Sequence, residues 1–138
     1  MSGRTGFLSF QGAGAPKGVA RSQSGETGLF EIEDYSFDIE QVLNIGSQSS
    51  GAGAGKVTFN PFQITRKTDV ASPNLFRMCA TGHSFPVIVL HARRANGVFI
   101  RLTLTDCVIS GYHAGPHATE SFTLTPASAE FARARHPH

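Results

Sequence analysis

The chain has no tryptophan, only two cysteines and two methionines, and charged residues make up only 16% of its 138 residues. Two cysteines without metal-ligand spacing exclude a disulfide scaffold. No apolar run approaches the length that spans a bilayer, and Met1–Gly12 lacks the apolar segment of a Sec signal. A formal charge of +2 is too small to predict nucleic-acid binding. We therefore expect one domain over residues 1–138, made in the cytoplasm, with no nucleic-acid partner and no membrane insertion; any export would use another route.

Glycine, by contrast, is plentiful, and the segment 46–56 ends in Gly55-Lys56 like a phosphate-binding loop. That motif requires a glycine five residues before Gly55, a Ser or Thr after the lysine, and a helix that begins there. The first glycine position is Ser50, and the residue after the lysine is Val57, which opens a segment typical of a strand. The segment is therefore interpreted as a long flexible connector between strands.

In two segments, 29–45 and 57–64, apolar and polar residues alternate as they do in a strand. In each segment the apolar positions switch once between even and odd residue numbers. The first changes near Glu33–Asp34 and the second at Pro61. Because a slip of one residue moves every side chain across a sheet, each change predicts a bulge or bend. Gly6–Gln11 is an earlier strand, with Phe7 and Phe10 expected to be buried. Long bent strands are typical of a sheet that curls toward a barrel.

One helix is predicted at about residues 73–81. Ser72 is a suitable N-cap, Pro73 suits the first helical position, and Gly82 can end the helix in the left-handed conformation. The residues expected to face the core are Leu75, Phe76 and Cys79.

Strands are expected from the helix to the end of the chain. Asn96-Gly97 predicts a hairpin turn, the even residues of Val98–Val108 are expected on one face, and a turn is expected over Gly111–His117. Phe122 and Leu124 alternate with polar residues, Pro126 is expected to interrupt the final strand, and the tail from about 133 is expected to fray. The predicted fold class is mainly β, an antiparallel β-barrel of two curled sheets with one short flanking α-helix.

The sequence contains no recognisable catalytic motif. The six histidines are not spaced as a ligand set, since the glycines and proline around His113 and His117 exclude a helical pair. Neither cysteine has neighbours that lower a thiol pKa, and no nucleophile motif of the Gly-x-Ser-x-Gly kind occurs. We expect no enzyme activity, no metal and no cofactor.

Charge is divided along the chain. No Lys or Arg occurs from Ser22 to Gly55, whereas Lys56–Arg101 has seven basic residues and one acidic residue, Asp69. In one interpretation these charges pair within the subunit or face solvent. In the other they form complementary edges between identical subunits arranged head to tail. The residues concerned would be Glu31, Glu33, Asp38, Glu40, Arg66, Lys67, Arg93 and Arg101.

Taken together, these segments resemble the Hcp family, the tube proteins of the bacterial type VI secretion system. The resemblance spans roughly Leu29 to Phe131, in the family's order. It is carried by Gly51–Phe62 (GAGAGKVTFNPF), Ile64–Asp69 (ITRKTD), Ala71–Phe76 (ASPNLF), Cys79–Gly82 (CATG), Phe85-Pro86, Leu90–Arg94 (LHARR), Leu102–Asp106 (LTLTD), Thr119–Leu124 (TESFTL) and the acidic strand Phe30–Phe37.

The resemblance implies a structural subunit of the inner tube, in hexameric rings that stack and carry small effectors in the lumen. Its partners would be other copies of itself, effectors, and the spike and sheath proteins of the apparatus. The glycine-rich loop would contact neighbouring subunits through Gly46, Ser47, Ser50, Gly51, Gly53, Gly55 and Lys56. Two alternatives stay open: a stand-alone β-barrel that binds a ligand or protein, and a phage-tail-tube-like protein outside a secretion system.

Overall fold

The computed structural model describes residues 6–22, 25–37, 39–42, 56–59, 61–93 and 99–133, with backbone alone for 39–42 and 56–59. One helix and nine strands occur in this part of the chain. In chain order they are β1 (Gly6–Gln11), β2 (Phe30–Ile32), β3 (Asp34–Ser36), β4 (Ile39–Val42), β5 (Lys56–Phe59), β6 (Phe62–Lys67), α1 (Ser72–Thr81), β7 (Ser84–Arg93), β8 (Phe99–Ala114) and β9 (Thr119–Arg133).

Seven strands form one antiparallel sheet in the order β2-β1-β7-β8-β9-β6-β3, and β4 and β5 form a separate two-stranded sheet. The two edge strands of the large sheet, β2 and β3, are consecutive in the chain and break at Glu33. The Glu33 amide donates to the Thr65 carbonyl of β6 at 2.8 Å. One bent segment therefore joins both edges of the sheet, which nearly closes it into a barrel. The predicted fold class and the bend at Glu33–Asp34 are confirmed.

Apolar side chains fill the barrel. The Phe10 ring lies with its centroid 5.4 Å from Phe30, 5.0 Å from Phe85 and 6.5 Å from Phe122. Edge-on contacts of this kind stabilise a core beyond the area they bury. Burial of Phe122 and Leu124 follows the predicted alternation. On β1 the prediction was half wrong, because Leu8 and Phe10 point inward and Phe7 is only partly buried.

The two long strands depart from the sequence prediction in three places. In β8 the buried positions switch from even to odd residue numbers at Asp106, whose φ is +51°. Leu104 faces inward before the switch, and Cys107 and Ile109 face inward after it. The strand also runs to Ala114, further than predicted. In β9, Pro126 lies opposite Cys107, and pairing continues on both sides of it to Arg133. A proline removes one donor from the ladder, and here that loss does not end the strand.

Helix α1 begins one residue earlier than predicted, with Ala71 at the N-cap. The Ser72 hydroxyl does not cap the helix; it accepts from the Asp69 amide and donates to Glu120. The C-terminal prediction is confirmed, because Gly82 has φ +69° and its amide donates to the Cys79 carbonyl. No helix in the described ranges is long and apolar enough to cross a membrane.

The predicted core face of α1 was wrong at one position. Leu75 is fully buried and Cys79 is partly buried, whereas Phe76 is 57% exposed. Neighbouring helix residues lie about 100° apart around the axis, so Phe76 projects beside the core and packs edge-on against the Tyr112 ring at 5.6 Å.

Candidate assembly surface

The outer face of β7 and β8 carries a basic cluster. His91 lies opposite Arg101, and Arg93 lies opposite Phe99. Because side chains alternate along a strand, burial of Leu90 and Leu102 in the core directs His91 and Arg101 outward. Both arginines are exposed. His91, Arg93 and Arg101 together form the basic face.

His91 and Arg101 also contact each other. The Arg101 Nε–H donates to His91 Nε2 at 3.4 Å, which requires a neutral imidazole whose Nε2 keeps its lone pair. Burial and the Arg101 charge lower the pKa of His91, while Glu26 opposes this shift. Protonation of the imidazole would remove this hydrogen bond and place two positive charges side by side.

Glu31, Glu33 and Asp34 form the acidic segment, which lies on and between β2 and β3, the strands that close the barrel. Glu31 projects outward from β2 opposite Phe7, and Asp34 is exposed at the start of β3. Glu33, at the break between them, accepts from Lys67 Nζ at 3.3 Å. Two residues predicted at ring edges therefore pair with each other inside the subunit. Such exposed pairs contribute at most about 1 kcal/mol.

Arg66 was predicted at a ring edge, and the structure corrects this. Its side chain is 2% exposed and forms ion pairs with Glu120 and with Asp69, the latter at 2.6 Å. Its guanidinium also lies over the Phe30 ring, 5.1 Å from the centroid. Even-numbered residues of β6 face inward, as Phe62 and Ile64 do, so the same alternation buries Arg66. Its positive charge is therefore neutralised by ion pairs within the subunit.

Glu120 and Tyr112 complete a buried polar cluster that the sequence analysis missed. One Glu120 oxygen accepts from Arg66 and from Ser72 Oγ, the latter at 3.0 Å, and the other accepts from Tyr112 Oη. Burial and the Glu120 carboxylate raise the pKa of Tyr112 to about 12. The cluster joins β6, β8, β9 and the start of α1. Glu120 shares the parity of Phe122 and Leu124 in the sequence, and that signal could have identified it.

Several predicted assembly residues lie outside the described part of the chain. These are Asp38 and the loop residues Gly46, Ser47, Ser50, Gly51, Gly53 and Gly55, while Glu40 and Lys56 are described by backbone alone. Val42 pairs with Lys56 at the end of β4 and β5. The glycine-rich segment therefore lies in the chain between two paired strand ends.

Cysteine and histidine side chains are scattered over the described part of the fold. In the described ranges no three His, Cys, Asp or Glu side chains come together as a metal site would require. Burial raises the pKa of the Cys107 thiol to about 12, which keeps it protonated and unreactive at neutral pH. Cys79 and Cys107 are both free thiols.

Fold and surface together define a class: an antiparallel β-barrel with a filled apolar interior and oppositely charged outer regions. Residues 7–132 match the family model described as "Type VI secretion system effector, Hcp". The chain therefore belongs to the Hcp family and is a tube protein of the type VI secretion system. This match extends from β1 to the end of β9, beyond the span on which the sequence resemblance rested.

Solved structures show the same fold at low sequence identity. Hcp1 from Salmonella typhimurium is 24% identical, with 95% of this chain and 86% of that chain covered and a TM-score of 0.71. A doubly substituted Hcp1 from the E. coli EAEC 042 pathovar is 15% identical, with 99% and 95% covered and a TM-score of 0.72. The baseplate of the anti-feeding prophage contains a chain that is 9% identical, with 94% and 93% covered and a TM-score of 0.53. No curated protein sequence matches the chain.

Proposed function

We propose that the protein is a non-enzymatic subunit of the inner tube, forming hexameric rings that stack. The observation that carries this is the family match over residues 7–132, which includes every strand of the barrel. A filled interior supports a structural role over ligand carriage, because four phenylalanines and their neighbours occupy the space that a ligand would need. The chain assembles in the cytoplasm and leaves the cell through the secretion apparatus.

Ring closure requires two different surfaces on each subunit. Among the predicted edge residues with described side chains, Arg93 and Arg101 are exposed on the basic face and Glu31 is exposed on β2, whereas Arg66 is buried and Lys67 pairs with Glu33. Opposed regions of unlike charge also favour one orientation over others. A head-to-tail arrangement of identical subunits satisfies both requirements.

The glycine-rich segment 46–55 is proposed to reach a neighbouring subunit, as the family resemblance implies; in the chain it lies between β4 and β5, which pair at Val42 and Lys56. Ordering the segment costs about 1–2 kcal/mol per residue, and contacts with a neighbouring subunit would offset that cost. Slow amide exchange of the segment is therefore expected in rings and not in isolated subunits. Effector proteins in the lumen, and the spike and sheath of the apparatus, are the proposed further partners.

Native mass spectrometry of the purified chain, with electron microscopy of the same sample, tests this function. We expect a sixfold mass and ring-shaped particles. A strict monomer at every concentration contradicts the assembly and favours a stand-alone binding module. As a control, Arg77→Gln removes one positive charge from the exposed side of α1, which belongs neither to the basic face nor to the acidic segment. This variant is expected to keep the sixfold mass.

A further inference from the structure

We draw no further inference here: the strongest candidate, the exposed apolar patch of Val70 and Phe76 at the start of α1 beside Tyr112, carries none because nothing in the described part of the chain shows what covers it.

Discussion

Arg66 and Glu120 lie directly opposite each other on β6 and β9, and their side chains form an ion pair that is closed off from solvent. Around them Ser72, Asp69 and Tyr112 supply further hydrogen bonds, and only Arg66 Nε, among the buried side-chain polar atoms of the described ranges, has no partner. A buried pair of this kind need not be more stable than an apolar pair of similar size. Through Ser72, the first residue of α1, the pair connects the start of the helix to β6 and β9.

The first prediction concerns this pair. Arg66→Met should lower the free energy of unfolding by about 3–5 kcal/mol, because it leaves the Glu120 carboxylate buried without its partner. The double variant Arg66→Met/Glu120→Leu should lose much less than the sum of the two single changes, since neither charge then remains. Urea unfolding of all four proteins in a double-mutant cycle measures this. Additive losses would show that the two side chains do not depend on each other.

The second prediction separates two adjacent residues of α1. Leu75→Ala should destabilise by about 2–5 kcal/mol, because it opens a cavity under the helix. Phe76→Ala should cost about 1 kcal/mol or less, since it removes an exposed ring and one edge-on contact with Tyr112. The midpoints of chemical unfolding compare them directly. Equal losses would place Phe76 in the core after all.

The sequence predicted those features of the fold that depend on local backbone geometry. Alternation along Phe30–Ile32 and Phe122–Leu124 identified the barrel strands, and glycine at position 82 identified the helix end, because these depend on local geometry. The parity change at Asp106 was not predicted, although aspartate is disfavoured in strands and is one of the residues that adopt a positive φ most readily. Its φ is +51°, and its neighbours Thr105 and Cys107 are both paired with β7 and with β9.

For the candidate assembly residues, too, the sequence predicted what depends on local composition and missed what depends on distant residues. Segment charge predicted Arg93 and Arg101 at one edge and the acidic residues at the other, but it could not reveal that Arg66 lies inside the barrel. That depends on Glu120, which is 54 residues away in the chain and reaches Arg66 only through the pairing of β6 with β9. The His91–Arg101 contact likewise depends on the register of β7 and β8. The predicted hairpin turn alone was not enough to predict that register.

A third prediction concerns the turn between β8 and β9. His117 and Ala118 have φ of +59° and +57°, and the left-handed conformation costs an ordinary residue about 1–2 kcal/mol. The Ala118 carbonyl is held there by both the amide and the hydroxyl of Thr68, at 2.9 and 3.1 Å. Ala118→Gly keeps these bonds and removes the strain, so the Tm should rise. The matched control, Ala80→Gly on the exposed side of α1, should lower it, because glycine destabilises a helix by about 1 kcal/mol.

The last prediction uses the Tyr112–Glu120 hydrogen bond. Because the folded state raises the pKa of Tyr112 to about 12, the phenol ionises more readily in the unfolded chain, whose tyrosine pKa is about 10. The stabilisation is complete below the unfolded value and is lost as pH rises toward 12. Near pH 8, Tyr112→Phe should be less stable by about 1–3 kcal/mol, since it leaves one Glu120 oxygen without its donor.

As pH increases above about 10, the unchanged protein should lose stability faster than Tyr112→Phe, and the gap between them should narrow. Urea unfolding over this range measures the gap, and the raised pKa of Cys107, present in both proteins, cancels from it. Tyr35→Phe provides the control, because Tyr112 is then the only tyrosine of the two in the sequence. Its tyrosinate absorbance reports the titration directly. Ionisation with a midpoint near 10 in the folded protein would mean that the Glu120 carboxylate does not hold the phenol protonated.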